Sequence, residues 1–229
     1  AITLAGLILA GLALAAGGVA VGPGRSSGLT AAVNRGEVKI LASSAASLDP
    51  AEGGDLGSAS VTAQLFESLT AFDADLVLRP ALAASWAVGD GGRSVTFHLR
   101  PGLVFSDGTA ITGSDVVRSW LRLIDPSGPS PLASLMSDVV GADDFRTGRL
   151  RDASGVGLSA SGGDVTVRLV RPASDFPAIV AAAPFAVVPK GITDGSALVP
   201  GSRFVASGGY TLAAATPAEL TLRANPRYW

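Results

Sequence analysis

Hydrophobic and polar residues alternate in several stretches of the chain, and this pattern predicts β-strands over residues 37–41, 94–100 and 164–170. In the second stretch Val95 and Phe97 fall on one face and His98 on the other. Shorter alternating stretches at 211–212 and 219–223 predict a closing hairpin that turns at Thr216-Pro217. These strands are spaced irregularly along the chain, which does not indicate a repeat.

Apolar residues recur at helical spacing in three other stretches, which predicts helices over residues 58–70, 113–124 and 175–183. Ser58 or Ser60 is the expected N-cap of the first helix, after a loop over 47–58 that is rich in Asp, Gly and Ser. Thr112 and Asp115 resemble a capping box before the second helix. Strands and helices are mixed without regular βαβ alternation, so the predicted fold class is mixed α/β (α+β).

The N-terminal stretch, residues 1–22, has no charged side chain. A helix of that length spans roughly 33 Å, which is enough to cross a bilayer core. A transmembrane or signal-anchor helix is the first interpretation, and a cleaved signal or a buried helix are the alternatives, because no basic region precedes it. Residues 23–36 are interpreted as a linker. In both membrane-targeting cases residues 37–229 lie outside the cytoplasm, either anchored to the membrane or secreted.

Composition excludes several classes of function. The 229 residues include 17 basic and 19 acidic side chains, for a net charge of −2, which argues against a nucleic-acid partner. There is no cysteine, so disulfides, thiolate metal sites and cysteine nucleophiles are excluded. The single histidine, His98, rules out multi-histidine metal or catalytic sites.

Neither the single histidine nor the closely spaced aspartates support a catalytic site. His98 lies on the polar face of a predicted strand, where a solvated role is expected. Asp143-Asp144 and Asp73-x-Asp75 lack the spacing of a calcium loop and are interpreted as loop or helix-cap residues. No nucleophile elbow, phosphate loop or dinucleotide fingerprint is present. We therefore expect a protein that is not an enzyme and needs no cofactor or metal.

A series of short blocks, each weak alone, occurs in an order that resembles one family. The blocks begin with Leu48-Asp49-Pro50, and the later ones are Leu65-Phe66-Glu67-Ser68-Leu69, Pro80 to Trp86, Thr96 to Arg100, Phe105-Ser106-Asp107-Gly108-Thr109, Ile124-Asp125-Pro126, Ser130-Pro131-Leu132-Ala133-Ser134, Val188-Pro189-Lys190, Gly208 to Leu212 and Asn225-Pro226-x-Tyr228-Trp229. Over about residues 38–229 they resemble the extracellular solute-binding proteins of peptide and nickel ABC importers, and most of all the oligopeptide-binding branch.

The resemblance implies a fold similar to the type II periplasmic binding proteins. Residues 37–229 would be the N-terminal part of a solute-binding domain, with an incomplete main lobe (37–70 and 190–229) and a small subdomain (71–189). We expect most pocket-forming residues to follow Trp229, so that this segment by itself is an incomplete cleft.

The resemblance also implies where a ligand binds. The extended stretch after Asp49-Pro50 lines the cleft in this family, so the backbone of Gly53, Gly54, Asp55 and Leu56 is expected to bond a peptide as an added strand does. An ordinary surface loop is the alternative. Leu132 stands where the oligopeptide branch often has an aromatic residue, which removes a stacking contact.

The expected function is that of an extracytoplasmic receptor. It would capture a peptide or a similar small solute by hinge closure and deliver it to an ABC permease. Two alternatives stay open at this point. One is a membrane-anchored ligand-sensing domain of a signalling protein, and the other is a hydrolase that uses the same fold.

Overall fold

The computed structural model describes residues 47–52, 55–192, 204–216 and 219–229. The predicted N-terminal helix (1–22), the linker (23–36) and the first strand (37–41) lie outside the described residues. Among the described residues, no helix combines the length and the apolar character needed to cross a membrane.

The described residues form a mixed α/β fold, as predicted. Its helices are α1 (Leu56–Leu65), α2 (Gly113–Leu121), α3 (Ala142–Arg146) and α4 (Phe176–Ile179). Its strands are β1 (Thr70–Phe72), β2 (Leu78–Pro80), β3 (Ala83–Gly89), β4 (Ser94–Leu99), β5 (Leu158–Ser161), β6 (Asp164–Arg168), β7 (Tyr210–Ala215) and β8 (Leu220–Ala224). The strands pair antiparallel in two hairpins, β1-β2 and β7-β8, and in one four-stranded sheet of order β3-β4-β6-β5.

The main core lies between the four-stranded sheet and the helices that cover one of its faces. Val95 and Phe97 of β4 point into this core, as their alternation predicts, and Val165 and Val167 of β6 lie opposite them in the register. Trp120 of α2 is completely buried at the centre. We call this group of buried side chains the central cluster; its largest members are Phe97, Phe105, Trp120, Leu123, Phe176 and Phe185.

Aromatic contacts organise the central cluster. The Trp120 ring meets the rings of Phe185, Phe97 and Phe176 edge-on, at centroid distances of 5.3, 6.1 and 6.4 Å. Its indole Nε1 donates to the backbone carbonyl of Phe185 at 2.8 Å. This hydrogen bond satisfies the one polar atom of the side chain, so burial of the whole ring is favourable. Trp86, by contrast, is only half-buried at the edge of the cluster.

The capping box predicted before α2 is confirmed, and a tight turn precedes it. Asp115 Oδ2 accepts from the Thr112 amide at 3.0 Å, and the Thr112 side chain accepts from the Asp115 amide, which together form the capping box; Thr112 Oγ1 also lies 2.7 Å from Asp115 Oδ2 as a hydrogen-bond donor. The turn before it requires Gly108, whose φ of +93° is a conformation that side chains with a Cβ rarely adopt. Asp107 Oδ1 closes that turn by accepting from the Thr109 amide at 2.9 Å.

The first predicted helix was wrong at both ends. It begins at Leu56 rather than Ser58, because Asp55 is the N-cap and its carboxylate accepts from the Ser58 amide at 2.8 Å. It ends at Leu65 rather than Thr70, since Phe66 has an extended backbone (φ −131°, ψ 145°) and Thr70 begins β1. Carboxylates are favoured caps near the positive end of the helix dipole, which explains the earlier start.

The other predicted elements differ from the structure in their lengths. Helix α4 covers only four residues of the predicted 175–183, and β6 ends two residues before the predicted end at 170. The closing hairpin is longer than predicted, and Thr216 and Glu219 close its turn by a 2.8 Å hydrogen bond, while Pro217 lies outside the described residues.

A second group of buried residues lies where α1 meets the closing hairpin. We call it the small cluster; it consists of Leu48, Leu65, Phe66, Ala186, Val188 and Ile192. Half-buried side chains from both strands of the hairpin, Leu212, Leu220 and Leu222, pack against it. The predicted division into a main lobe (37–70 and 190–229) and a subdomain (71–189) stays a prediction.

A short seam, residues 67–70, joins the two clusters through contacts that are distant in sequence. The Glu67 amide donates to Ser207 Oγ at 3.0 Å, and its carbonyl accepts from the Val187 amide at 2.9 Å. Thr70 Oγ1 donates to the Pro177 carbonyl at 2.6 Å. The seam therefore depends on the second half of the described chain for its hydrogen bonds.

Candidate functional site

The buried carboxylate of Asp49 attaches the segment that leads into the predicted ligand-binding residues to the rest of the fold. Asp49 is completely buried, and its Oδ1 accepts from the Ala51 amide at 2.9 Å, which closes a turn around Pro50. The other carboxylate oxygen forms an ion pair with Arg122, just beyond the end of α2. A buried charge is tolerated only when it is paired, and Arg122 supplies the charged partner of Asp49 inside the protein. We call residues 47–52 the anchored segment.

A second attachment joins the anchored segment to the loop that carries Leu132. Ser130 Oγ donates to the Ala51 carbonyl, and the same oxygen accepts from the Leu132 amide at 3.0 Å. One hydroxyl thus joins the anchored segment to the loop that carries Leu132. The structure brings these regions together although they are about eighty positions apart in the chain.

The predicted site residues themselves are placed unevenly. Gly53 and Gly54 lie outside the described residues. Leu56 is 48% exposed at the start of α1, and Leu132 is half-buried. Asp55 uses both carboxylate oxygens to accept from Ser58, from its amide and its hydroxyl, and these bonds lower the pKa of Asp55 below 3.8. Its side chain therefore caps a helix and stays ionised at neutral pH.

Sequence reasoning missed two residues that organise this region, Arg122 and Ser130. Both lie beside short turn signals, Asp125-Pro126 and Ser130-Pro131, and Ser130 also forms a local turn with Leu132. Those signals predict the turns but not the long-range partners, because the pairing with Asp49 and Ala51 depends on tertiary structure.

The linings of two surface grooves in the described part of the chain do not include the predicted site residues. One, of about 480 Å³, lies between α2 and β5; it is lined by Ser114, Val117, Arg118, Leu121, Arg122, Asp125, Phe145, Leu158, Ser159 and Ala160. Its two arginines are already engaged, Arg118 with Asp115 and Arg122 with Asp49. The other, of about 440 Å³, lies beside the Gly108 turn.

The residues that could suggest other chemistry have structural partners. His98 Nδ1 lies 2.7 Å from Asp164 Oδ1 on the exposed face of the sheet. Asp143 and Asp144 are interpreted from the sequence as loop or helix-cap residues, but they lie inside the first turn of α3, whose N-cap is Gly141, and pair with Arg146 and Arg149. Within the described ranges, no three acidic or histidine side chains come together in a group that could hold a metal ion.

A separate charged group lies at the end of the chain. Glu67 Oε1 accepts from the Tyr228 hydroxyl at 2.7 Å, and Glu67 Oε2 accepts from Trp229 Nε1 at 2.8 Å. The Arg100 guanidinium stacks over the Trp229 ring, 3.9 Å from its centroid. Burial raises the pKa of Glu67 above 4.5, against the opposing effect of these hydrogen bonds and of Arg100.

Residues 77–229, about two thirds of the chain, match the family profile described as bacterial extracellular solute-binding proteins, family 5 Middle. The chain belongs to this family. The resemblance drawn from the sequence blocks is thereby confirmed.

Curated and solved relatives agree with this assignment. The periplasmic oligopeptide-binding protein OppA of Escherichia coli K12 is 32% identical over 236 residues, an alignment that covers 100% of this chain and 43% of the relative. The Haemophilus influenzae OppA complex with the peptide RPPGFSPFR superposes with a TM-score of 0.75 and 29% identity, over 80% of this chain and 37% of that one. The Escherichia coli murein tripeptide binding protein MppA superposes with a TM-score of 0.77 and 29% identity, over 82% and 38%.

The described fold is that of these periplasmic binding proteins, as the sequence blocks predicted. The chain spans well under half the length of the relatives it matches, 43% for the Escherichia coli OppA. The relatives named here are binding proteins, and none is described as an enzyme.

Proposed function

We propose that this chain is part of an extracytoplasmic substrate-binding protein that captures peptides for an ABC importer. The observation that carries the proposal is the alignment over the whole chain with a periplasmic oligopeptide-binding protein. The superposition on an OppA that holds a nine-residue peptide supports the same ligand class. The bound peptide would then be delivered to the permease in the membrane.

The ligand contacts that we propose are those expected from the sequence: the backbone of residues 53–56 and the side chain of Leu132. The hydrogen bonds of Ser130 support this pairing, because they hold Leu132 against the anchored segment. Main-chain hydrogen bonds to an extended peptide do not depend on its side chains, so such a site accepts varied sequences. Leu132 offers an aliphatic surface, which suits apolar peptide side chains without aromatic stacking.

We also propose that the chain supplies one side of the cleft, with residues 37–70 and 190–229 in the main lobe and 71–189 in the subdomain. The small cluster supports a main lobe built from both ends of this range, because it joins Leu48, Leu65 and Phe66 to Ile192 and packs against the closing hairpin, while its other members, Ala186 and Val188, lie just before the proposed boundary at 190. The remaining pocket residues would come from sequence that follows Trp229.

The proposed ligand class is tested by calorimetry on the full-length protein with the nonapeptide Arg-Pro-Pro-Gly-Phe-Ser-Pro-Phe-Arg. We expect a dissociation constant of about 1 μM or tighter, equivalent to ~8 kcal/mol of binding free energy. The control is the same peptide with alternate backbone amides methylated, which removes main-chain donors and keeps the side chains. No binding by either peptide, nor by tripeptides, would overturn the proposal.

For the N-terminal stretch we propose that residues 1–22 anchor the protein to the membrane. The support is the uncharged sequence alone. Cell fractionation followed by an alkaline carbonate wash tests it, and we expect the protein to stay in the membrane fraction. A soluble product whose N-terminus lies after residue 22 would instead identify a cleaved signal.

A further inference from the structure

Arg122 lies outside the predicted ligand contacts, yet its ion pair connects it to them. We propose that Arg122 is a positioning residue of the peptide site: through Asp49 it fixes the path of the anchored segment, and so the backbone that follows it. This inference rests on the proposed peptide-binding function and adds to it a residue that acts without touching the ligand.

The first step of the coupling is electrostatic. The side chain of Asp49 has no exposed surface, and that of Arg122 is only 19% exposed. Because water cannot solvate the Asp49 carboxylate, the guanidinium is the partner that determines where the carboxylate lies. Loss of the guanidinium would leave the buried carboxylate without its charged partner, which favours movement of Asp49 toward water.

The second step transmits this position to the backbone. Asp49 Oδ1 accepts from the Ala51 amide, so movement of the carboxylate opens the turn around Pro50. The Glu52 amide donates to the Asp49 carbonyl at 3.1 Å and continues the same turn. The anchored segment ends at Glu52, so Asp49 fixes the backbone that immediately precedes the proposed ligand contacts.

The two residues that hold the anchored segment belong to a single stretch of chain that follows α2. Arg122 and Ser130 lie at the two ends of one loop, and the Ser130 amide donates to the Leu123 carbonyl at 3.0 Å. Inside the loop, Asp125 Oδ1 accepts from the amide of Ser127 at 2.9 Å and from its hydroxyl at 2.6 Å. The loop is thus braced across its width, and the anchored segment is tied to it at Asp49 and at Ala51.

This arrangement has a direct consequence for a ligand that is bound through main-chain hydrogen bonds. Such a ligand needs donors and acceptors that are already aligned, since ordering a loose segment on binding costs conformational entropy. Arg122 would lower that cost before the peptide arrives.

The test uses the full-length protein and a variant that leaves no unpaired buried charge. In Asp49→Asn/Arg122→Met both charges are removed, while an amide oxygen at position 49 still accepts from the Ala51 amide. We expect the nonapeptide to bind at least tenfold more weakly and hydrogen exchange to quicken in residues 51–56. Arg122→Lys should restore part of the affinity, because a single ammonium pairs with Asp49 without the planar fork. The control is Arg171→Met, which breaks the exposed pair with Asp138.

Each outcome decides the proposal. Faster exchange together with weaker binding supports it, and Ser130→Ala should show a smaller effect of the same kind. Exchange that stays at the wild-type rate overturns the coupling, and faster exchange with unchanged affinity overturns the positioning role. If the double variant fails to fold, Ser130→Ala and Arg122→Lys decide by the same two readouts. A wild-type protein that binds no peptide overturns the proposed function itself and the positioning role with it, which is distinct from a failure in the variants alone.

Discussion

The central cluster and the small cluster differ in how completely their side chains are enclosed. In the central cluster, aromatic rings from four separate parts of the chain meet around Trp120, and the largest members are entirely buried. In the small cluster, Phe66 has one aromatic neighbour, Phe204, at 5.6 Å, and the hairpin leucines that cover it are half-buried. The described residues therefore enclose the central cluster more completely than the small cluster.

The largest loss of stability is expected when one buried phenyl ring is removed from either cluster, and comparing the two losses tests the contrast. Phe185→Ala and Phe66→Ala each remove a phenyl ring that is at least 98% buried. We expect both to destabilise the protein by about 3–5 kcal/mol, with Phe185 at the upper end, because its rigid neighbours cannot collapse into the cavity. Urea denaturation measures the difference. Equal losses at the two positions would remove the contrast.

A second prediction concerns Gly208, whose amide donates to the carbonyl of Leu65 in the small cluster. A Cβ at Gly208 would lie 2.6 Å from the Gln64 carbonyl oxygen and 2.8 Å from the Leu65 carbonyl carbon, so the backbone would have to move. Gly208→Ala should cost about 1–3 kcal/mol. The neighbouring Gly209 is the matched control, because its nearest contact would be 3.9 Å away on Tyr228 and Gly209→Ala should be close to neutral. Thermal melts of both variants show whether the close approach at Gly208 is needed.

A smaller effect is expected at the capping box of the subdomain. Thr112→Ala removes the hydroxyl that Asp115 accepts from and should destabilise the protein by about 1 kcal/mol. Thr147→Ala is the control: its hydroxyl donates to the Asp143 carbonyl on the exposed side of a five-residue helix. A loss at Thr147 as large as that at Thr112 would contradict a special role for the cap. Denaturation midpoints at a constant slope make the comparison.

The smallest effect concerns pH and the group at the end of the chain. Because burial raises the pKa of Glu67 in the folded state above 4.5, the folded protein binds more protons there than the unfolded chain. This group's contribution to stability is therefore lost as pH rises from the unfolded value through the raised folded value. Glu67→Gln should remove that component from a stability profile between pH 4 and pH 8. A variant profile that falls as steeply as the wild type would refute the assignment.

Much of the four-stranded sheet and of α2 could be predicted from sequence because the signals are local. Alternation identified β4 and β6, and the capping box identified α2. Strand β3 was not predicted, since its sequence Ala-Ala-Ser-Trp-Ala-Val-Gly has little β-propensity. It is extended because β4 pairs with it along its length.

The candidate site was predicted less completely, and for a physical reason. The blocks around Asp49 and Leu132 indicated two regions as a candidate site, but the ion pair with Arg122 joins residues 73 positions apart. The Ser130 hydroxyl likewise meets Ala51 across 79 positions. Such pairings depend on how the elements pack, and a single sequence does not encode them in any local pattern.

The seam at residues 67–70 has a consequence for the timing of synthesis. The Glu67 amide donates to Ser207, which lies 140 positions later in the chain. At about 5–20 residues per second, a ribosome needs roughly 7–28 s to synthesise the residues between them. During that interval the nascent chain carries α1 and the first hairpin without the partners that complete them. A chaperone that holds emerging polypeptides would therefore find an open target here for many seconds, long before the two clusters can close on each other.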